Sequence, residues 1–306
     1  MMFRFGFDIG GTNIAYGIVD ESYSFVYKAS VRFPHSPAAE VAELLNELVI
    51  SGCKDAKIAL DEIELVGICI PGSIDKHQEV VINAYNLDFH NVPFRKMAAD
   101  AIGKPVQLMN DADAAALAEY GIGALRNKPN SMLITIGTGI GGGIILNGEL
   151  FHGGNGNGIE LGHVQMDIHG ESCTCGRRGC IETLCSASYL NKRALQLYDD
   201  GVEALSRYCR DEVDGRILIG EAKKGDKECL AVWDQYVNNL AEALASYINF
   251  IDPECIAVGG GVSRAGEFLL KPLRKLAAEK CFFSDNPPEI VCAALGNDAG
   301  LLGSVM

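Results

Sequence analysis

The chain opens on alternating apolar and polar positions. Phe3 to Ile9 alternates as a strand does, Gly10-Gly11-Thr12 punctuates it as a tight turn, and Asn13 to Val19 reads as the returning strand. Phe25 to Phe33 extends that hairpin. From Pro37 to Val49 the period changes, and Val41, Leu44, Leu45 and Leu48 share one face of an amphipathic helix. Ile63 to Ile70 is a continuous apolar run of strand length ending at Pro71-Gly72, where a loop can approach a ligand. Asn83 to Phe94 keeps no period and reads as a loop. Pro93 to Ala101 reads as a helix, Val106 to Met109 as a short strand and Ala112 to Tyr120 as a helix. Ser131 to Ile136 and Ile144 to Leu146 are strands on either side of glycines.

Beyond Ser186 the period is mainly helical, through Leu195, Val202 to Arg210 and Arg216 to Lys223. The clearest helix is Cys229 to Phe250, with Val232, Trp233, Tyr236, Val237, Leu240, Leu244 and Tyr247 on its packed face, stopped by Asp252-Pro253. Cys255 to Val258 is a short strand entering Gly259-Gly260-Gly261. Ser263 is expected to cap the next helix. Ile290 to Ala293 and Ala299 to Val305 read as a last strand and a terminal helix.

With 306 residues, 48% of them apolar, the chain can bury a substantial core and hold two domains, which excludes a disordered protein. A net charge of -14 argues against a general nucleic-acid or anionic-membrane surface. No uninterrupted apolar run reaches membrane-spanning length, and the first residues lack the pattern of a signal peptide. Of the eleven cysteines, eight are scattered in apolar segments where a thiol behaves as a small core group, which favours a reducing cytoplasm.

Three glycine turns carry candidate chemistry. At the first, the carboxylate of Asp8 stands beside Gly10, Gly11 and Thr12; an acid ordering a magnesium water shell next to backbone N–H groups and a hydroxyl suits phosphate oxygens. The second, Gly137-Thr138-Gly139 followed by Gly141-Gly142-Gly143, repeats that logic between two strands. The pair predicts two related α/β halves facing across a nucleotide cleft. At the third, Gly260 and its neighbours can lie against adenine or ribose. Neither a P-loop nor a Rossmann fingerprint is present. Asp111, delivered by the short strand 106–109, is a candidate general base for a sugar hydroxyl or the N-cap of its helix, and Asn86 is either a substrate contact or a loop asparagine.

The stretch from Phe151 to Leu184 places Glu160, His163 and Glu182 around Cys173, Cys175 and Cys180, in a run too rich in glycine for ordinary helix. Three thiolates and an imidazole are the ligands of a closed tetrahedral zinc site, and a metal can fix a loop that burial cannot hold. Nine residues separate His163 from Cys173, one lies between the first two cysteines and four precede Cys180, a spacing unlike that of a zinc finger.

DIGGT from Asp8, ELGH from Glu160 to His163, CTCGRRGCIET from Cys173 to Thr183 and VGGGVS from Val258 to Ser263 together resemble the ROK family of sugar kinases and sugar-responsive repressors over the whole chain, closest in organisation to its bacterial ATP-dependent glucokinases. The resemblance implies an actin-like, ribonuclease-H-like fold of two α/β domains with a cleft for sugar and ATP: a small domain of 1–109 completed by 291–306, and a large domain of 110–290. It implies Asp111 as catalytic base, a sugar held by Asn110, Glu160, His163 and Glu182, ATP phosphates served by the turn of Asp8, Gly10, Gly11 and Thr12 and by Gly137, Thr138 and Gly139, and Gly260 near the nucleoside; the residues themselves add Gly72, Asn86 and Asp111 as sugar contacts. Structural zinc on His163, Cys173, Cys175 and Cys180, magnesium with the ATP, and a homodimer are implied too.

The chemistry is self-consistent. Glu160 and Glu182 can accept from vicinal hydroxyls, and His163 can donate from one ring nitrogen while the other binds zinc. The expected reaction is ATP-dependent phosphorylation of glucose to glucose 6-phosphate, with fructose, mannose, allose, N-acetylglucosamine and N-acetylmannosamine as rival sugars and a non-catalytic sensor or repressor as the other class. A repressor would need an additional N-terminal helix-turn-helix, whereas DIGGT starts here at Asp8. Asn13 stands where many family members carry lysine, Ile159 where glycine is common, and YNLDFHNVPF lacks a frequent tryptophan. These departures bear on the sugar.

Overall fold

Strand β1 (Phe3–Ile9) turns at Gly10 into β2 (Asn13–Val19), antiparallel with Ile9 opposite Ile14, and β3 (Phe25–Arg32) pairs antiparallel with β2. The computed structural model describes residues 2–155 and 159–306, so Gly156, Asn157 and Gly158 of the glycine-rich stretch lie outside the described residues. Helix α1 (Ala38–Ala56) leads to β4 (Ile63–Ile70), then to a small three-stranded sheet of β5 (Ser73–Ile74), β6 (Val81–Ala84) and β7 (Phe89–Val92). Helix α2 (Phe94–Ile102), β8 (Val106–Asn110) and α3 (Asp111–Ile122) follow. A second series begins with β9 (Ser131–Ile136), β10 (Ile140–Leu146) and β11 (Glu149–Leu150). It continues through α4 (Glu182–Cys185), α5 (Ala187–Asp199), α6 (Glu203–Ser206), α7 (Gly215–Lys223) and α8 (Lys227–Ile251) to β12 (Cys255–Gly259), α9 (Glu267–Lys280), β13 (Glu289–Cys292) and α10 (Ala299–Ser304).

The two large sheets repeat one plan. The first has the order β3-β2-β1-β4-β8 and the second β11-β10-β9-β12-β13: in each, a hairpin and a third strand stand on one side and two parallel strands on the other. The expectation of two related α/β halves is met at the level of topology.

The chain divides into two compact units, Met1–Arg126 with Gly143–Ile159 and Leu295–Met306, and Asn127–Gly142 with Glu160–Ala294. This differs from the expected boundary at 109/110, because α3 belongs with the first unit. The physical reason lies in the faces of β1. Phe3, Phe5, Phe7 and Ile9 enter a core with Val41, Leu45 and Val49 of α1 and Phe94 and Ile102 of α2, while Gly6, in between, faces α10. A Cβ on Gly6 would meet Leu301 Cδ2 at 2.7 Å, and one on Gly303 of α10 would lie 1.7 Å from the carbonyl oxygen of Ala114 in α3. Only glycine lets these backbones come so close. Glu119, wholly buried in α3, accepts from the N–H groups of Ala124 and Leu295 at 2.7 Å each, and so pins the point where the chain re-enters this unit.

Elsewhere the structure departs from the periodic reading in three places. Residues 83–94 contain β7, because Phe89 turns inward to pack on Phe94 with ring centroids 5.2 Å apart. Gly141, Gly142 and Gly143 lie inside β10 instead of forming a turn; a Cβ on Gly142 would meet the Leu133 carbonyl oxygen at 2.3 Å, and one on Gly143 the Ala116 Cβ at 2.6 Å. Helix 202–210 shrinks to Glu203–Ser206, and Asp214 starts the next helix by accepting from the N–H groups of Arg216 and Ile217. Helix α8 is as expected: Trp233 stacks on Phe268 at 5.2 Å, the Tyr236 hydroxyl donates to the Cys185 carbonyl at 2.8 Å, and Asp252 closes the helix at φ 51°.

Candidate functional site

In the first unit the β1–β2 turn is closed by the Gly10 N–H donating to the Asn13 carbonyl at 2.9 Å and by the Phe33 N–H donating to that of Thr12 at 2.8 Å. Thr12 is exposed at its tip. Asp8, just before the turn, is largely buried on the face of β1 that meets Cys69 and α10; a Cβ on Gly300 would lie 3.0 Å from its Oδ2 and 3.2 Å from the Cys69 sulfur. Burial, and after it the charge of Asp111, pushes the Asp8 carboxyl up to about 6, against a hydrogen bond from Cys69. Burial holds the Cys69 thiol well above its ordinary range. That thiol is a proton donor to the carboxylate.

Asp111 is the first residue of α3. Burial raises its carboxyl above the ordinary range, while the Ala112 N–H, 2.8 Å from Oδ1, opposes the rise. The capping role considered for Asp111 falls to Asn110, whose Oδ1 accepts from the N–H groups of Ala112 at 2.8 Å and Asp113 at 3.2 Å. Asn110 sits at the extended end of β8, the geometry an N-cap requires. Its amide nitrogen donates to the Gly72 carbonyl at 2.8 Å. Gly72 has φ 104°, and a Cβ there would be 2.1 Å from the Asn83 carbonyl oxygen. Asn86 lies against the phosphate-like turn, since a Cβ on Gly11 would be 3.3 Å from its own Cβ. The first unit therefore brings Asn86 against Gly11, Gly72 against Asn110, and Asp111 beside Asp8.

In the second unit the Gly137 N–H donates to the Gly139 carbonyl at 3.0 Å, and the turn is held from outside. Ala187 N–H donates to the Gly137 carbonyl at 2.8 Å, Ser188 Oγ to that of Thr138 at 2.6 Å, and Ile140 N–H to Glu182 Oε2 at 2.9 Å. Glu160 leads into the tight turn Leu161–His163, with the His163 N–H on the Glu160 carbonyl at 3.1 Å and the Tyr247 hydroxyl donating to the Leu161 carbonyl at 2.7 Å. Gly260 has φ 81°, and a Cβ there would collide with Ile136 at 2.4 Å. Ser263 does not cap α9; its Oγ donates to the Gly260 carbonyl at 2.8 Å and steadies the glycine turn instead. Beside that turn lies a cavity of about 410 Å³ lined by Gly261, Val262 and Arg264 and by Leu190, Gly215 and Ile219 of α5 and α7. Sequence reading missed this lining. The Asp214 cap before Gly215 is the signal that marks its helix.

His163, Cys173, Cys175 and Cys180 bring one ligand atom each to within 4.8 Å of one another. Cys173 Sγ is 3.5 Å from His163 Nδ1 and Cys175 Sγ 3.6 Å from Cys180 Sγ. Tetrahedral ligands about 2.3 Å from zinc stand about 3.8 Å apart, so the four atoms fit that ion. The loop shapes itself by the Cys173 N–H on the Arg177 carbonyl at 2.8 Å and the Gly176 N–H on that of Cys173 at 3.0 Å. With Nδ1 turned to the sulfurs, His163 keeps Nε2 for another partner.

An α/β chain in which each of two five-stranded sheets runs a hairpin, a third strand and two parallel strands is of the actin-like, ribonuclease-H-like class. The chain belongs to the ROK family, whose sequence profile matches residues 4–306. It is 35% identical over 305 residues to the glucokinase of Thermotoga maritima, covering 98% of this chain and 95% of that protein. It is 30% identical over 304 residues to an N-acetylmannosamine kinase of Haemophilus influenzae, at 97% and 92%. A ROK family glucokinase from Streptomyces griseus, solved in complex with glucose and AMPPNP, superposes with a TM-score of 0.83 at 32% identity, covering 99% of this chain and 98% of that one.

Proposed function

We propose that this protein is an ATP-dependent hexose kinase that phosphorylates glucose on its C6 hydroxyl. The observation that carries the reading is Asp111: a largely buried carboxylate at the end of a parallel strand, beside Asp8 and a glycine turn, in a chain similar end to end to the Thermotoga maritima glucokinase. In this reading Asp111 accepts the proton of the acceptor hydroxyl as its oxygen attacks the γ-phosphorus. Proton transfer late in the reaction is sufficient, because the attacking oxygen becomes acidic as its bond to phosphorus forms.

Asn110 is assigned to the sugar as well, its side chain already fixed by the α3 N–H groups and Gly72. Glu160 and Glu182 accept from adjacent hydroxyls and His163 donates from Nε2. Gly72 and Asn86 complete the sugar contacts. Gly10, Gly11, Thr12 and Gly137 to Gly139 serve the phosphates, with Asp8 positioned to hold the water shell of magnesium, which supplies charge neutralisation on the phosphates. The cavity beside Gly260 suits the nucleoside in size and in its apolar walls. Zinc on His163, Cys173, Cys175 and Cys180 holds the sugar-binding segment in shape and takes no part in bond making.

The eleven cysteines are free, which suits a reducing compartment, and no helix among the described residues is long and apolar enough to cross a membrane. A homodimer is part of the same reading, and light scattering tests it. The assay for function couples ADP release from magnesium-ATP to a panel of glucose, fructose, mannose, allose, N-acetylglucosamine and N-acetylmannosamine. Glucose with the highest kcat/KM supports the proposal; preference for another sugar replaces the substrate, and no sugar-dependent turnover in zinc-loaded protein overturns it.

A further inference from the structure

His152 and Asp113 form a pair that the roles assigned above leave unused. Asp113 lies two residues beyond Asp111 in the first turn of α3 and is 5% exposed. His152 follows β11, where the Phe151 N–H donates to the Ile144 carbonyl at 2.8 Å and sets the direction of the chain. Its Nδ1 stands 3.5 Å from Asp113 Oδ2, with the imidazole 42% exposed and the carboxylate side chain 8%. Gly143 of β10 makes this approach possible, since a Cβ there would lie 3.3 Å from the Ala112 carbonyl oxygen and 3.5 Å from the Asp113 Cα. The strand is thus seated directly on the turn of helix that begins with Asp111.

A buried carboxylate is costly unless paired, and a half-exposed imidazole can supply the charge at moderate expense. We propose that His152 is a positioning residue for the reaction above: its imidazolium closes on Asp113, fixes the first turn of α3, and screens Asp111 from a neighbouring negative charge. This rests on the reading of Asp111 as the base. The Asp113 charge favours the protonated form of Asp111, which cannot act as a base, and His152 offsets it. In return, Asp113 raises the imidazole above its ordinary range against the effect of burial. The other titratable groups around the helix are Asp8 on β1, Cys69 on β4, Glu149 on β11 and Glu119 and Tyr120 on α3 itself, all acidic or neutral, and α10 brings none. No second cation among these substitutes for His152.

The test uses the zinc-loaded full chain in two measurements. Side-chain NMR of labelled histidine, assigned with His152→Gln, should show His152 titrating above 6.5 in the wild type and falling to or below it in Asp113→Asn; an unshifted His152 overturns the pair. In kinetics on the preferred hexose, the acidic limb of kcat/KM should move up by about half to one pH unit in His152→Gln, a three- to tenfold loss at a pH below the limb. It should return in His152→Gln/Asp113→Asn and stay in place in His152→Lys. A lowered melting temperature with an unmoved limb in His152→Gln would reduce the pair to a structural contact and overturn the proposal. Should His152→Gln fail to fold, Asp113→Asn alone decides, with the limb expected to move down. Absence of hexose turnover in the wild type would remove the kinase reading and the positioning role with it, while the NMR titration separately reports whether the ion pair forms.

Discussion

The carboxylate of Glu182 accepts a 2.9 Å hydrogen bond from the backbone N–H of Ile140, joining the helix that follows the cysteines to the second glycine turn. One oxygen thus serves the turn, and the carboxylate's position depends on the smallness of its neighbour: a Cβ on Gly139 would stand 2.2 Å from Glu182 Oε2. Gly139→Ala should displace the carboxylate. The expected result is a rise in KM for the sugar of about tenfold or more, the loss of one good hydrogen bond to a charged group. Thermal melting should change little by comparison.

Asp111→Asn should lower kcat by about 10²- to 10⁴-fold, the usual worth of a general base, without changing zinc content. Steady-state kinetics beside metal analysis by mass spectrometry checks both halves. Retained turnover would remove Asp111 from the mechanism.

Asp8 gives a stability prediction with a defined sign. Its carboxyl keeps a proton up to about 6 in the folded chain and to 3.8 when unperturbed. Below 3.8 both states are protonated and no cost is present; between 3.8 and 6 the unfolded chain ionises first, and above 6 the folded chain carries the full penalty of about 3 kcal/mol. Asp8→Asn should therefore be more stable than the wild type at pH 7, less so at pH 5, and no more stable at pH 3.5. Chemical denaturation at the three pH values reads this directly, and the same variant should lose activity with magnesium-ATP.

Cys175→Ser should drop zinc below one equivalent per chain and weaken sugar binding, because the turn bearing His163 then depends on hydrogen bonds alone. Isothermal titration with the sugar, run beside metal analysis, measures both quantities. Chelation of the wild type should give the same affinity loss, and restoring zinc should reverse it.

Gly303→Ala places a methyl group 1.7 Å from the Ala114 carbonyl oxygen. The backbones of α3 and α10 must separate, at a cost of about 1–3 kcal/mol. A fall in the denaturation midpoint with an unchanged zinc content is expected.

Much of this fold could be read from period alone. β1, β4 and β9 fall where the apolar runs place them, and α8 keeps its packed face. What could not be read depends on neighbours distant in sequence. Gly141 to Gly143 look like a turn until Leu133 and Ala116 are seen to press on them, and Phe89 makes a strand of an apparent loop because it reaches Phe94. The cluster of His163, Cys173, Cys175 and Cys180 was legible because residue types that can hold a metal stand close together in the sequence. Asn110 as the cap was not, since Asn and Asp at consecutive positions compete for one role and only backbone direction at the end of β8 decides. His152 and Asp113 are 39 positions apart in the sequence and carry no motif that would pair them.

The placement of α10 bears on how the chain is made. Residues Leu295–Met306 close the first unit, covering Gly6 of β1 and packing on α3, yet they are synthesised after the whole of the second unit. The second unit, drawn largely from Glu160–Ala294, has all its strands and helices available before then. Synthesis order and completion order are thus reversed: the first unit must wait, with one face of its sheet uncovered, until residues 295–306 follow the second unit. During that interval the exposed sheet face is the part of the nascent chain that most needs protection from aggregation.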